Sequence, residues 1–341
     1  MKSLIAQVAE GQDLSEAQAE TAMTMMMAGE ATPAQVAAFL MALRIKGETV
    51  AEITGCARVM RQRATQVPHT RPFAVDTCGT GGDKANTFNI STTAAFVAAG
   101  AGVPVAKHGN RAASSLTGSA DVLEALGVNL TLTAPQVGQC IDQLGIGFMF
   151  APTLHTSMKH VGPVRKEIGM RTIFNLLGPL TNPAAAQAQV MGVFSPNLTE
   201  PLARVLGNLG VRHALVVHGL DGVDEISISG PSVISEMEDG LVHTYRVIPE
   251  DVGIARAPRE YIRGGTKEEN AAITEAVLAG EKGPRRDVVL LNAAAALLAA
   301  DAVKSLREGV LRAEESIDSG AALRTLEALR RLTNQLAAVA S

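Results

Sequence analysis

The sequence predicts an α/β protein with a mostly parallel central sheet flanked by helices and a small all-α domain attached. Three observations carry that expectation. From Phe73 onward, short apolar runs alternate with helical patterns, the signature of a parallel sheet. Before that point, Met1 to about Ala64 shows repeated helix start and stop signals. At the junction, an apolar run leads into the glycine-rich turn Gly79-Thr-Gly-Gly-Asp83 and then toward a helix start.

In the first segment, Ser15 and Gln18, Thr32 and Gln35, and Thr49 and Glu52 have capping-box spacing. Pro33 suits a first helical position, and Gly29 and Gly47 suit helix stops. Val36, Phe39, Leu40 and Leu43 form an apolar stripe at helical spacing. Met25, Met26 and Met27 are consecutive and cannot all face one core, so they pack either within the unit or against a partner. Four short helices have little core of their own; docking on the main domain or on a second subunit would complete it. Thr65 to Pro72 reads as a linker.

Strands are expected at Phe73–Val75, Val103–Ala106, Ile146–Phe150, Gln189–Phe194 and Ala214–Val217. Helices are expected at Thr92–Gly100, Ala120–Leu126, Pro135–Leu144 and Glu200–Leu209, with Asp121 and Glu124 suiting the dipole of theirs. Pro152 to Pro183 breaks the alternation and reads as a helical excursion returning toward the N-terminal unit. Ser227 to Val247 reads as a β excursion, Thr266–Gly280 as an amphipathic helix, Asp287–Ala300 as a buried one, and Ala321–Val339 as another amphipathic one.

Composition excludes several classes. With 47% hydrophobic residues over 341, the chain is expected to be globular. A net charge of −4 argues against a dedicated nucleic-acid binder. The three cysteines, Cys56, Cys78 and Cys140, have no zinc or disulfide spacing and suit a reducing cytosol. No signal peptide is evident, and Val288 to Ala300, the longest uncharged apolar stretch, is too short to span a bilayer.

The chemistry concentrates between Asp76 and Arg111. A glycine-rich turn before a helix opening near Ser91 and Thr92 is a ready phosphate site, since free N–H groups and the helix dipole favour an anion. The next strand delivers Lys107, Asn110 and Arg111 to a loop, adding cationic and amide donors. In open α/β sheets, ligands bind beyond the carboxyl ends of strands. Asp224 and Glu225, after a turn made by Gly219 and Gly222, read either as a solvated face or as ligands for a hard cation, to which the Ser91 hydroxyl could add.

Several segments together resemble the anthranilate phosphoribosyltransferase family: Gly79 to Asp83, Asn89 to Thr92, Lys107 to Arg111, Gly118 to Gly127, Arg171 to Pro183, and the Asp224–Glu225 pair. The resemblance runs through nearly the whole chain in order, and a related fold serves pyrimidine nucleoside phosphorylases. It implies a small helical domain of residues 1–70, completed by an insertion at about 160–185, and an α/β domain of residues 71–160 and 186–341. It implies a cytoplasmic homodimer joined through the helical domain, with no nucleic-acid or membrane partner. The implied reaction is Mg2+-dependent transfer of the phosphoribosyl group of 5-phosphoribosyl 1-diphosphate (PRPP) to the amine of anthranilate, in tryptophan biosynthesis.

The resemblance assigns PRPP to Gly79, Gly82, Asp83, Thr87, Asn89, Ile90, Ser91, Thr92, Lys107, His108, Gly109, Asn110, Arg111, Ala112, Ala113, Ser114, Ser115 and Ser119. It assigns anthranilate to Gly79, Asn110 and Arg165, with His108, His155 and Pro179 lining the acceptor channel. Two Mg2+ ions per active site are implied, with Ser91, Asp224 and Glu225 as ligands. No catalytic base is assigned, because an aromatic amine is neutral and nucleophilic at pH 7. The chain departs from the family at Thr156-Ser157, where Pro-Ala is usual beside the acceptor channel. A nucleoside phosphorylase is disfavoured by the acidic pair and the Lys107 loop, and a nucleic-acid-binding paralogue by the retained glycine turn and the negative net charge.

Overall fold

The computed structural model describes residues 1–83, 85–112 and 116–340. The chain opens with α1 (Lys2–Ala9), α2 (Glu16–Ala28), α3 (Pro33–Lys46) and α4 (Val50–Arg63). All three expected capping boxes form, Pro33 opens α3, and Gly29 ends α2 in the left-handed region at φ 76°. Glu52 does more than cap α4. Its buried carboxylate also accepts from Leu14 N at 2.9 Å and Lys46 Nζ at 3.0 Å, tying the α1–α2 connection to α4. Val36, Phe39, Leu40 and Leu43 are buried, as are Met26 and Met27, while Met25 is half-buried.

The α/β part follows in order: β1 (Val75–Gly79), α5 (Ile90–Gly100), β2 (Val105–Gly109), α6 (Ser119–Ala125), α7 (Ala134–Leu144), β3 (Ile146–Phe150), α8 (Ala151–Leu154), α9 (Gly162–Ile168), α10 (Phe174–Leu177), β4 (Ala188–Gly192), α11 (Thr199–Asn208), β5 (His213–Gly219), β6 (Ser232–Glu238) and β7 (Leu241–Val247). Then come α12 (Lys267–Leu278), α13 (Pro284–Ala299), α14 (Leu306–Asp318) and α15 (Ala321–Ala340). The sheet has seven strands in the order β3-β2-β1-β4-β5-β6-β7. β1 to β5 run parallel, and β6 and β7 add an antiparallel edge. The chain builds outward from β1 to β3 and then returns to place β4 on the other side of β1. That reversal makes the carboxyl ends of β1 and β4 the switch point, where such sheets bind ligands.

β3 lies where expected, but β1 and β2 start later and extend further than the apolar runs Phe73–Val75 and Val103–Ala106. Among their added residues, Asp76, Gly79, Lys107 and Gly109 look unlike strand. Register with neighbouring central strands overrides that weak local propensity. Lys107 therefore lies buried within β2 and not on the loop after it. α5 likewise starts at Ile90, two residues before Thr92.

Two apolar clusters flank the sheet. One gathers Phe96 of α5 with Leu291 and Leu297 of α13. The other joins Phe39 and Leu40 of α3 to Val164, Ile173 and Phe174, and to Leu202 and Leu206 of α11. The four short helices thus complete their core by docking on the α/β part.

Candidate active site

Glycines at the ends of two adjacent strands create the site. A Cβ on Gly79, the last residue of β1, would lie 2.8 Å from Asp224 Oδ2. One on Gly192, the last residue of β4, would lie 1.7 Å from the Asp224 carbonyl oxygen. No real Cβ tolerates such contacts, so the two glycines make the groove into which the chain after β5 folds. Asp224 Oδ2 then accepts from Gly81 N at 2.9 Å, and Asp224 N donates to Asp83 Oδ2 at 3.3 Å. The glycine turn and the acidic pair, about 140 residues apart, are thereby one assembly.

Glu225 Oε1 accepts from Ser91 N at 3.1 Å, at the start of α5. On the other side of Ser91, Lys107 Nζ lies 3.5 Å from its Oγ and donates to the Thr77 carbonyl. Burial pushes Asp224 up to about 7, helped by the charge of Asp83, and pushes Glu225 up to about 8, helped by Asp224. Three crowded carboxyl groups with one buried ammonium nearby disfavour one another's ionised forms, so an added cation would favour their ionisation. Their oxygens, with the Ser91 hydroxyl, are the hard donor set that suits Mg2+. A different group, His213, Glu238 and Asp301, also brings possible metal ligands together. It lies at the amino end of β5, and both His213 ring nitrogens already bond to carboxylates, Asp301 and Glu236, each at 2.9 Å. Burial lowers the His213 pKa, but those bonds outweigh it and raise it, making this an ion-pair network.

Beneath the turn, buried Asp76 accepts from Asn182 Nδ2 at 2.7 Å and His108 N at 3.1 Å. Burial raises the Asp76 pKa and lowers that of Lys107, and each group's charge opposes the other's shift. Ile90 and Thr92 bury their side chains, leaving their backbone groups at the helix start. The Asn89 side chain bridges Thr117 O and Asn270 Nδ2, and Thr87 pairs with Arg263 in an isolated antiparallel bridge.

The loop after β2 is held by α6. The Asn110 carbonyl accepts from Ser119 Oγ, and a Cβ on Gly109 would collide with that same oxygen. Asp121 accepts from Ala112 N and Gly118 N. Arg111 is half-exposed and gives its guanidinium to Asp121 and Glu124, each at 3.0 Å. Ala113, Ser114 and Ser115 lie outside the described residues.

A third group is nearly uncharged. His108 Nε2 and His155 Nε2 are 3.2 Å apart, and both rings are buried. The Gly178 carbonyl also bonds the His108 ring. A neutral imidazole has one N–H, so across the pair one ring donates and the other accepts. Burial holds His108 down at about 3 and His155 at about 4. Pro179 is buried beside them in sequence with Gly178, its carbonyl taking Gln189 Nε2 at 2.7 Å. Thr156-Ser157 opens a 3-10 turn directly after His155. Arg165, on α9, is half-buried with its guanidinium 5.0 Å from the Phe174 ring centre, and it has no acidic partner among the described residues. Burial lowers its pKa.

Sequence reasoning left Asp76, Thr77, Asn182 and Arg171 without roles. Asn182 and Arg171 stand inside a segment that carried the family resemblance, which was their only signal.

The α/β part matches the α/β domain of a glycosyl transferase family over residues 71–323, and the first helices match that family's helical bundle domain over residues 2–64. An anthranilate phosphoribosyltransferase of Symbiobacterium thermophilum is 78% identical, covering 99% of both chains. The crystal structure of anthranilate phosphoribosyltransferase from Thermus thermophilus superposes with TM-score 0.92 at 47% identity, over 97% of this chain and 99% of that one. The Saccharomyces cerevisiae enzyme in complex with PRPP and Mg gives 0.89 at 29% identity, over 98% and 97%. Within this glycosyl transferase family, the chain belongs to the anthranilate phosphoribosyltransferases.

Proposed function

We infer that the chain transfers the phosphoribosyl group of PRPP to the amine of anthranilate, giving N-(5-phosphoribosyl)anthranilate and diphosphate in tryptophan biosynthesis. The observation that carries this reading is the single hydrogen-bonded assembly of glycine turn, α5 start and acidic pair at the switch point. As the ribose C1–O bond to diphosphate breaks and the C1–N bond forms, negative charge collects on the leaving group. The glycine turn and the positive end of the α5 dipole flank the place where that charge collects, and Lys107 Nζ lies 3.5 Å from the Ser91 hydroxyl. Mg2+, when bound, supplies the countercharge. Ser91, Asp224 and Glu225 would hold it, and Asp83 brings the carboxylates to three, enough for a second ion.

On the acceptor side, Arg165 is free to grip the anthranilate carboxylate bidentately. Asn110 and the Gly79 backbone border the ring, and the neutral His108–His155 pair with Pro179 shapes the channel wall. Gly82, Thr87, Asn89, Arg111 and Ser119 belong to the PRPP pocket in this reading.

The small unit is residues 1–70 completed by about 160–185, a division supported by the shared apolar cluster. The chain acts as a homodimer through this unit. Ile45 on α3, 81% exposed, and Met170 after α9, 51% exposed, give it an apolar surface. Three free cysteines suit a cytoplasmic setting. Among the described residues, no helix is long and apolar enough to cross a membrane. The test is to mix the protein with PRPP, Mg2+ and anthranilate and follow loss of anthranilate fluorescence. Fluorescence that stays constant, whether or not PRPP is present, overturns the reading.

A further inference from the structure

The glycine turn is clamped from two directions. On the sheet side, the Asp224 carboxylate accepts from Gly81 N and the Asp224 backbone N–H donates to the Asp83 side chain. On the opposite side, Arg171 Nη2 donates to the Gly82 carbonyl. Three consecutive residues, Gly81 to Asp83, are thus each bonded to one clamp or the other. The Arg171 guanidinium is itself fixed, lying 4.0 Å from the Phe194 ring centre, just beyond β4. Such stacking costs arginine little of its donor capacity and limits its rotamers. Gly82 is at φ +76°, and an added Cβ there would meet Arg171 Nη2 at 3.0 Å.

Arg171 does not belong to the sheet. Two and three residues on, Ile173 and Phe174 are buried in the cluster shared with α3, and the Arg171 carbonyl accepts from Arg44 on α3. No acid pairs with Arg171 among the described residues, so its charge is not consumed by a structural ion pair. We propose that Arg171 is a positioning residue for the PRPP diphosphate, holding the Gly81–Asp83 turn against the acidic pair and referring its position to the helical unit through Arg44. The proposal rests on the function inferred above. It predicts an asymmetry that a generic structural prop does not: damage falls on PRPP and spares anthranilate.

Binding of PRPP with Mg2+ is measured by isothermal titration, and saturation curves are recorded for each substrate. Arg171→Ala is expected to weaken PRPP binding and raise its KM about tenfold or more, the loss of one charge-assisted hydrogen bond, with the anthranilate KM unchanged. Arg171→Lys restores part of the loss, because it returns one donor to the Gly82 carbonyl without the stacked fork. Arg44→Ala gives a smaller loss on the same substrate; no change in PRPP affinity there overturns the link to the helical unit. Unaltered PRPP affinity in Arg171→Ala, or equal weakening of both substrates with a lowered melting temperature, overturns the positioning role. An inactive wild-type protein would instead sink the inferred reaction, so the two failures are distinguishable.

Discussion

The two halves of the site are built on opposite principles, and one strand divides them. Along β2, Lys107 turns to Thr77 and Ser91, while its neighbour His108 turns the other way to His155, as strand alternation requires. The glycine-turn half is made of main chain and crowded carboxylates, and its geometry is enforced by the absence of side chains at Gly79 and Gly192. It crowds acidic groups whose ionised forms an added cation would favour. The histidine half is made of side chains packed on one another: two neutral rings and an arginine stacked on Phe174. It carries one cation and a wall. The first half suits a leaving group that gains charge during the reaction; the second suits a flat ring with a single anionic substituent.

The sharpest way to break that contrast is to remove the charge from the first half. Asp224→Asn with Glu225→Gln is expected to cut Mg2+-dependent turnover about a thousandfold while circular dichroism remains native. Turnover with its ordinary magnesium dependence would show that the carboxylates are structural. Next comes steric intrusion. Gly192→Ala puts a methyl group onto the Asp224 carbonyl and must shift the acidic pair. Turnover is expected to fall about a hundredfold, as misplacement of about an ångström does elsewhere. Overpacking should also cost about 1–3 kcal/mol in urea unfolding. Normal activity here would mean that the chain after β5 can move without consequence.

Smaller effects probe the second half. Arg165→Ala should raise the anthranilate KM roughly ten- to a hundredfold, the loss of a charge-assisted bidentate contact, with much less change for PRPP. Equal damage to both substrates would make Arg165 a prop for α9. The histidine pair should show itself only in acid. Both rings sit below the ordinary histidine value, so they favour the folded state above about pH 6.5, and that contribution is lost as pH falls toward 4 and then 3. His108→Asn with His155→Asn should flatten the decline of melting temperature across that window. An acid limb identical to wild type would show that the pair does not titrate there.

Much of this was legible in the sequence, and the failures share a cause. The three capping boxes, β3 and the buried character of α13 depend on residues close in sequence, so local pattern sufficed. β1 and β2 were placed too early because Asp76 and Lys107 look unlike strand. What makes them tolerable inside a sheet is pairing with Asn182, His108 and Ser91, which no local window contains. Asp224–Glu225 was ambiguous as a dipeptide, and only the glycine turn folded against it, far away in sequence, brings a third carboxylate alongside. Arg171 was unreadable for the same reason, since its contact is to a backbone carbonyl that any residue type could have offered.

The interleaved path of the chain has a consequence for dissecting the molecule. The helical unit buries Phe39 and Leu40 against Ile173, Phe174 and α11, and Arg61 donates to the carbonyls of Leu180 and Leu209. A protein nicked within Thr65 to Pro72 would therefore remain one particle, and residues 1–64 expressed alone would lack half of their own interior. The two pieces share one apolar cluster, so neither is expected to keep its core without the other.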